Sequence, residues 1–185
     1  MGIHEIKTSS PAVFFDRDGI INVAIVKDGH PYPPASLDEL HLISGTVESM
    51  KRLSKSGFAL FGVTNQPDVA RGTQTQAMVE KINNFITSHT PIKEILVCYH
   101  DNQDLCDCRK PKPGLIYQAE EKYSLDLSQS WMVGDRWQDI AAGQAAGLKT
   151  IFVDYKYSIQ FEGKRANYNI GDPVSIANII LEGSK

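Results

Sequence analysis

Ala12-Val13-Phe14-Phe15-Asp16-Arg17-Asp18-Gly19 is the stretch from which the rest of the chain can be read. Its four apolar residues make a short buried strand, and the polar turn that follows sets two carboxylates two residues apart, on one side of an extended backbone. Such a pair suits one attacking carboxylate, one proton donor and a shared hard cation. A plain acidic turn is the simpler alternative. A calcium loop of the EF-hand type is excluded: it needs Gly at its sixth position and Glu at its twelfth, whereas Gly19 is fourth from Asp16 and Lys27 is twelfth.

Outward from this point, apolar runs recur at 58–63, 95–99, 131–133 and 150–153, each reading as a buried strand like 12–15. Helical spacing fills the gaps. Val47, Met50 and Leu53 recur every three residues, and Met78, Ile82, Phe85 and Ile86 follow an amphipathic stripe. Gly57 and Gly147 stand where helices should stop, and Pro113 sits at a first helical position ahead of 115–123. Further helices are expected over 137–146 and near 173–181. Residues 27–34, with Gly29 and three prolines, read as an irregular loop, and 155–168 as a polar connection. The alternation of strand and helix predicts a Rossmann-like α/β fold with a doubly wound parallel sheet, one domain over 1–185, with ligands at the carboxyl ends of the strands.

The formal net charge of −3 over 185 residues offers no general attraction for nucleic acid, so an anion site must be built locally. No apolar run approaches the roughly 18 residues of a membrane span. The first residues show neither a signal core nor a myristoylation pattern. The three cysteines cluster between Cys98 and Cys108, unlike a disulfide framework, so a cytoplasmic protein is expected. A monomer is the working expectation for its assembly.

The other strand ends carry matching chemistry. Thr64, Asn65 and Gln66 offer a hydroxyl and two amides, neutral donors for phosphoryl oxygens. Arg109, Lys110 and Lys112 precede a helix within a proline-stiffened segment, and favour phosphate over a solvated charge run. Asp135 and Asp139 follow Gly134 four residues apart, with Asp16, Asp18 and Asp135 sufficient for magnesium and Asp139 supporting them or capping the helix. Cys98, His100, Cys106 and Cys108 form the complete ligand set of a closed, structural zinc site that would pin the loop presenting Arg109 and Lys110.

Asp-x-Asp-Gly, Thr-Asn, a lone Lys and Gly-Asp-x-x-x-Asp, in this order, resemble the four motifs of the haloacid dehalogenase-like phosphatases. The resemblance covers 13–153 and departs at Ile20, where many relatives have Thr. It implies Asp16 as nucleophile, Asp18 as general acid then base, Thr64 and Lys110 as ligands of the transferring phosphoryl group, and Asp135 at magnesium. Asp18 must then be protonated to assist the leaving alkoxide, and its anionic neighbours are expected to raise its pKa.

Within that superfamily the zinc ligands and the lack of a large cap domain resemble the branch that holds heptose bisphosphate and histidinol-phosphate phosphatases. Residues 16–23, 69–72 and 106–114 lean to the former, the short loop between His100 and Cys106 to the latter. The expected partner is a small phosphorylated metabolite, a sugar bisphosphate, with Arg71, Arg109 and Arg136 gripping a second phosphate or hydroxyls. The competing readings are a zinc-stabilised scaffold that has lost its chemistry, and a phosphotransferase, which would need a cap to exclude water.

Overall fold

A computed structural model of the chain describes residues 9–27, 30–156 and 165–184. The strands are β1 (Ser10–Phe15), β2 (Ile25–Lys27), β3 (His30–Tyr32), β4 (Ala59–Asn65), β5 (Glu94–Cys98), β6 (Leu125–Gly134), β7 (Lys149–Val153) and β8 (Tyr168–Ile170). The helices are α1 (Ser44–Lys55), α2 (Gln76–His89), α3 (Gly114–Tyr123), α4 (Trp137–Ala145) and α5 (Ile176–Gly183). Six strands form one parallel sheet in the order β5-β4-β1-β6-β7-β8. From β1 the chain winds first to one side and later to the other, so β1 is the switch point, where an open α/β sheet leaves a crevice at its carboxyl edge. Asp16 is the first residue beyond β1, and its N–H continues the ladder to the Val133 carbonyl at 2.9 Å.

The central part of the sheet, β1, β4 and the carboxyl half of β6, is largely apolar and buried because both of its faces are covered. Along β1 the side chains alternate: Val13 and Phe15 enter a core with Met50 and Leu53 of α1, Ile82 and Ile86 of α2 and Ile176 and Ile180 of α5. Ala12 and Phe14 enter the other core, with Leu115 and Ile116 of α3 and Ala142 of α4. The expected helix stops are present: Gly57 and Gly147 adopt φ of +91° and +79°, left-handed values that L side chains rarely adopt. No cap domain interrupts the sheet among the described residues.

Four sequence expectations change. On α2 the buried stripe is Val79, Ile82, Asn83 and Ile86, while Phe85 faces out and stacks on His89 with ring centroids 4.0 Å apart. Asn83 occupies the inner face because its Oδ1 accepts Nη1–H of the fully buried Arg17 at 2.9 Å, a polar anchor that apolar periodicity cannot register. The stretch expected to be irregular at 27–34 contains half of a two-stranded antiparallel unit, with Ile25 opposite Tyr32 and Lys27 opposite His30. The polar connection ends in β8, an edge strand held by its ladder to β7 rather than by an apolar run. Residues 157–164 of that connection lie outside the described residues, and Tyr99, expected within a strand, follows the end of β5.

The two phenylalanines give a test of this packing. Phe61 is fully buried, stacked on Phe14 at 5.6 Å and tilted against Tyr123 at 4.9 Å. Phe61→Ala is expected to cost about 3–5 kcal/mol in urea unfolding, and Phe85→Ala no more than about 0.5 kcal/mol.

Candidate active site and metal-binding loop

A cleft of about 170 Å³ opens at the carboxyl edge of the sheet. Asp16, Asp18, Thr64, Lys110 and Asp139 lie along it, with Arg71, Arg109 and Arg136 and the Pro31–Tyr32 part of the hairpin around it. The six-stranded sheet brings the carboxyl ends of β1, β4, β5 and β6 to this edge, and β3 of the separate two-stranded unit closes in from the side. At the bottom is a charge cluster. The Lys110 ammonium, only 5% exposed, donates to Asp16 Oδ1 at 2.5 Å and to the Val63 carbonyl at 2.8 Å, and stands 2.6 Å from Asp139 Oδ1. Burial opposes the charge of Lys110, but the carboxylates of Asp139 and Asp16 outweigh it and hold its pKa above the ordinary lysine value.

Asp16, Asp135 and Asp139 are all buried and present carboxylate oxygens within 4.8 Å of one another. Burial first, and the charge of Asp139 second, push the Asp16 pKa up to about 6, against the lowering influence of Lys110 and Arg136. Three hard oxygen donors in so small a volume are a donor set suited to a divalent cation of the magnesium class. Asp139 is thus part of the charge cluster, and it also accepts the Arg136 N–H at 3.0 Å, closing the first turn of α4. Its approach depends on Gly134: a Cβ there would come within 2.1 Å of the Asp139 Cβ.

The Asp18 carboxylate lines the same cleft but is not one of that close trio. It accepts Nε–H and Nη2–H of Arg17, the Asn22 amide at 3.0 Å and the Gln66 amide at 2.7 Å. Burial raises its pKa, but the charge of Arg17 and the hydrogen bonds of Arg17, Asn22 and Gln66 prevail, so the group is held below the ordinary carboxylate range. This reverses the expectation of a raised pKa: the charged partner of the Asp18 carboxylate is the Arg17 cation, and the acids drawn together lie elsewhere.

Two expected substrate ligands are engaged in support. Asn65 accepts the Lys110 N–H and donates to the Lys110 carbonyl, each at 3.0 Å, fixing the backbone of that residue. Gln66 is 1% exposed and lies beneath the cleft wall, bridging Asp18 to the Thr64 hydroxyl at 2.8 Å. Lys112 points to the Cys106 carbonyl at 2.8 Å and the Asp107 carboxylate at 2.9 Å instead of the cleft. Arg71 forks onto Asp101, whose carboxyl is held down to about 2 chiefly by those hydrogen bonds. Arg109 donates to Asn102 Oδ1 at 2.9 Å and the His100 carbonyl at 3.2 Å, and Arg136 to the Pro31 carbonyl at 3.2 Å. Burial opposes the Arg136 charge, but Asp16 and the neighbouring acids keep its pKa above the ordinary arginine value.

Beside the cleft, Cys98, His100, Cys106 and Cys108 converge with ligand atoms within 4.8 Å of one another. The Sγ and Nδ1 atoms that touch are 3.2–3.7 Å apart. Ligands about 2.3 Å from a tetrahedral ion stand about 3.7 Å from each other, so the group can close around a metal with little movement.

A family model described as HAD-hydrolase-like matches residues 107–157. Over 77% of this chain and 78% of its partner, the sequence is 37% identical to D-glycero-beta-D-manno-heptose-1,7-bisphosphate 7-phosphatase of Escherichia coli (strain K12). The enzyme of that name from Pseudomonas aeruginosa is 34% identical, over 94% of this chain and 99% of its own. The crystal structure of D,D-heptose 1,7-bisphosphate phosphatase from B. bronchiseptica, complexed with magnesium and phosphate, superposes with a TM-score of 0.79 at 25% identity, covering 94% of this chain and 99% of that one. The chain belongs to the haloacid dehalogenase-like hydrolases, in the family of the D-glycero-beta-D-manno-heptose-1,7-bisphosphate 7-phosphatases.

Proposed function

We propose that the protein hydrolyses the 7-phosphate of D-glycero-D-manno-heptose 1,7-bisphosphate through an aspartyl-phosphate on Asp16. The observation that carries this reading is the division of the cleft: a buried Asp16–Lys110–Asp139 cluster at its floor, and the guanidinium groups of Arg71 and Arg109 at its rim. The floor suits one phosphate and the rim a second, as in a sugar bisphosphate. The short His100-to-Cys106 loop alone leaned towards histidinol phosphate, whereas the long alignments with heptose enzymes favour the bisphosphate.

An Asp16 carboxylate oxygen attacks phosphorus, the bond from phosphorus to the sugar oxygen breaks, and the departing oxygen takes a proton. Water then attacks the same phosphorus, releasing inorganic phosphate and restoring Asp16. Lys110 and the Thr64 hydroxyl hold the equatorial oxygens on which charge spreads. Asp18, held ionised by Arg17, is poised to take a proton from the attacking water, and to serve first as acid it must leave Arg17 and gain a proton. Magnesium, when bound by Asp16, Asp135 and Asp139, supplies Lewis-acid stabilisation of the same phosphoryl charge. Cys98, His100, Cys106 and Cys108 are the residues that would hold zinc, and zinc there would fix the loop that presents Arg109 and Lys110.

Phosphate release with magnesium is expected to be fastest from heptose 1,7-bisphosphate in a panel with other sugar phosphates and histidinol phosphate; activity confined to histidinol phosphate would overturn the substrate assignment. Asp16→Asn should lower turnover by roughly a thousandfold or more with an unchanged circular dichroism spectrum. Cys106→Ser should lose the zinc found by elemental analysis, melt at lower temperature and lose most activity although it touches no substrate. A proton on Asp16 competes with magnesium. Its folded pKa of about 6 is above the ordinary value, so protonation disfavours the cation below that pH. Magnesium affinity, by calorimetry, should be about tenfold weaker near pH 5 than near pH 7.5.

A further inference from the structure

Both rim arginines are held by the segment that carries the metal ligand His100. Arg71 comes from the turn after β4, and its side chain is 46% exposed, so an unrestrained guanidinium would sample many orientations. It is restrained by Asp101, which directly follows His100: Nε donates to Oδ2 at 2.8 Å and Nη2 to Oδ1 at 2.6 Å, so one carboxylate occupies one edge of the guanidinium. Among the described residues, the contact of Nη1 is a long one to Asp68, at 3.5 Å. Asp101 is itself fixed, because its carboxylate accepts the Asn102 N–H at 2.8 Å and its own N–H donates to Asp104 Oδ2 at 2.7 Å, a reciprocal cap on the turn Asn102–Asp104. Arg109 leans on the same residues through Asn102 Oδ1 and the His100 carbonyl.

We propose that Asp101 is a positioning residue: it locks the Arg71 guanidinium so that Nη1 and the remaining N–H of Nη2 are presented to the second phosphate, and the Cys/His loop thereby sets substrate affinity as well as Lys110 placement. This rests on the reading of Arg71 as a ligand of that phosphate. Charge and orientation pull in opposite directions here. The Asp101 carboxylate weakens the field that draws in an anion, but the pair is solvent-exposed and screened, whereas a preset planar fork spares the ordering cost of a long side chain at binding. Orientation therefore prevails.

Asp101→Asn removes the charge and half of the fork without changing size. Its KM for heptose 1,7-bisphosphate is expected to rise about three- to tenfold, while kcat, and the kinetics with heptose 7-phosphate, which lacks the second phosphate, stay within about twofold. An unchanged or lower KM for the bisphosphate would overturn the proposal, the lower value marking charge as the stronger effect. Should Asp101→Asn lose zinc or fold poorly, Arg71→Lys decides: it keeps the charge, lies off the metal loop and cannot form the fork, so a wild-type KM would overturn the proposal and a matching rise would sustain it. Arg71→Ala separates the two levels. A wild-type bisphosphate KM in that variant would overturn the second-phosphate reading itself, and a raised KM there with none in Asp101→Asn and Arg71→Lys would overturn only the positioning role.

Discussion

The burial of the Lys110 ammonium between Asp16 and Asp139 is the constraint around which the rest of the cleft is arranged. Taking a cation out of water is costly unless it is paired and fully hydrogen-bonded, and here two carboxylates and the Val63 carbonyl meet that need. The cluster remains acidic, since Asp16, Asp135 and Asp139 outnumber the ammonium among them, and the pKa of Asp16 is raised by burial first and by the charge of Asp139 second. An anionic floor that must receive an anionic phosphoryl group calls for a further positive charge, which is why a divalent cation belongs in the proposed mechanism.

Each supporting feature keeps that cluster in register. Asn65 at the end of β4 clamps the Lys110 backbone, Gly134 lets Asp139 approach the end of β6, and Arg136 starts α4 while Asp139 closes its first turn. Separately, fully buried Arg17 ties Asp18 to Asn83 on α2, a link between a carboxylate of the cleft and the packing of a helix. The Cys/His loop joins these two scales. It precedes Lys110 in the chain, and through Asp101 and Asn102 it reaches the two arginines at the mouth. One loop thus bears on both ends of the cleft, the floor with the buried charge cluster and the rim with Arg71 and Arg109.

Much of this was legible in the residues themselves. Apolar runs of strand length, separated by helical spacing and glycine stops, specify a parallel sheet because a strand covered on both faces must be apolar throughout. Asp16, Thr64 and Asp135 could be placed together because each stands just past such a run, and a parallel sheet aligns those ends on one edge, while Lys110 is reached through the longer Cys/His segment that follows β5. The Cys and His spacing was equally plain, since four metal ligands within a short segment leave few other arrangements.

What the linear order could not specify is which polar group faces which. Asn83 displaced Phe85 from the inner face of α2 because Arg17 needed a buried acceptor, Gln66 went beneath the cleft to bridge Asp18 and Thr64, and Asp139 took the place beside Asp16 expected of Asp18. The hairpin at β2 and β3 and the short strand β8 owe their form to backbone ladders that leave little hydrophobic trace. Position along a strand determines the edge of the sheet a side chain reaches, and this the sequence by itself decided. Direction at that edge was decided only by the tertiary structure, because hydrogen bonds and ion pairs depend on angles and distances of a few ångströms between segments far apart in the chain.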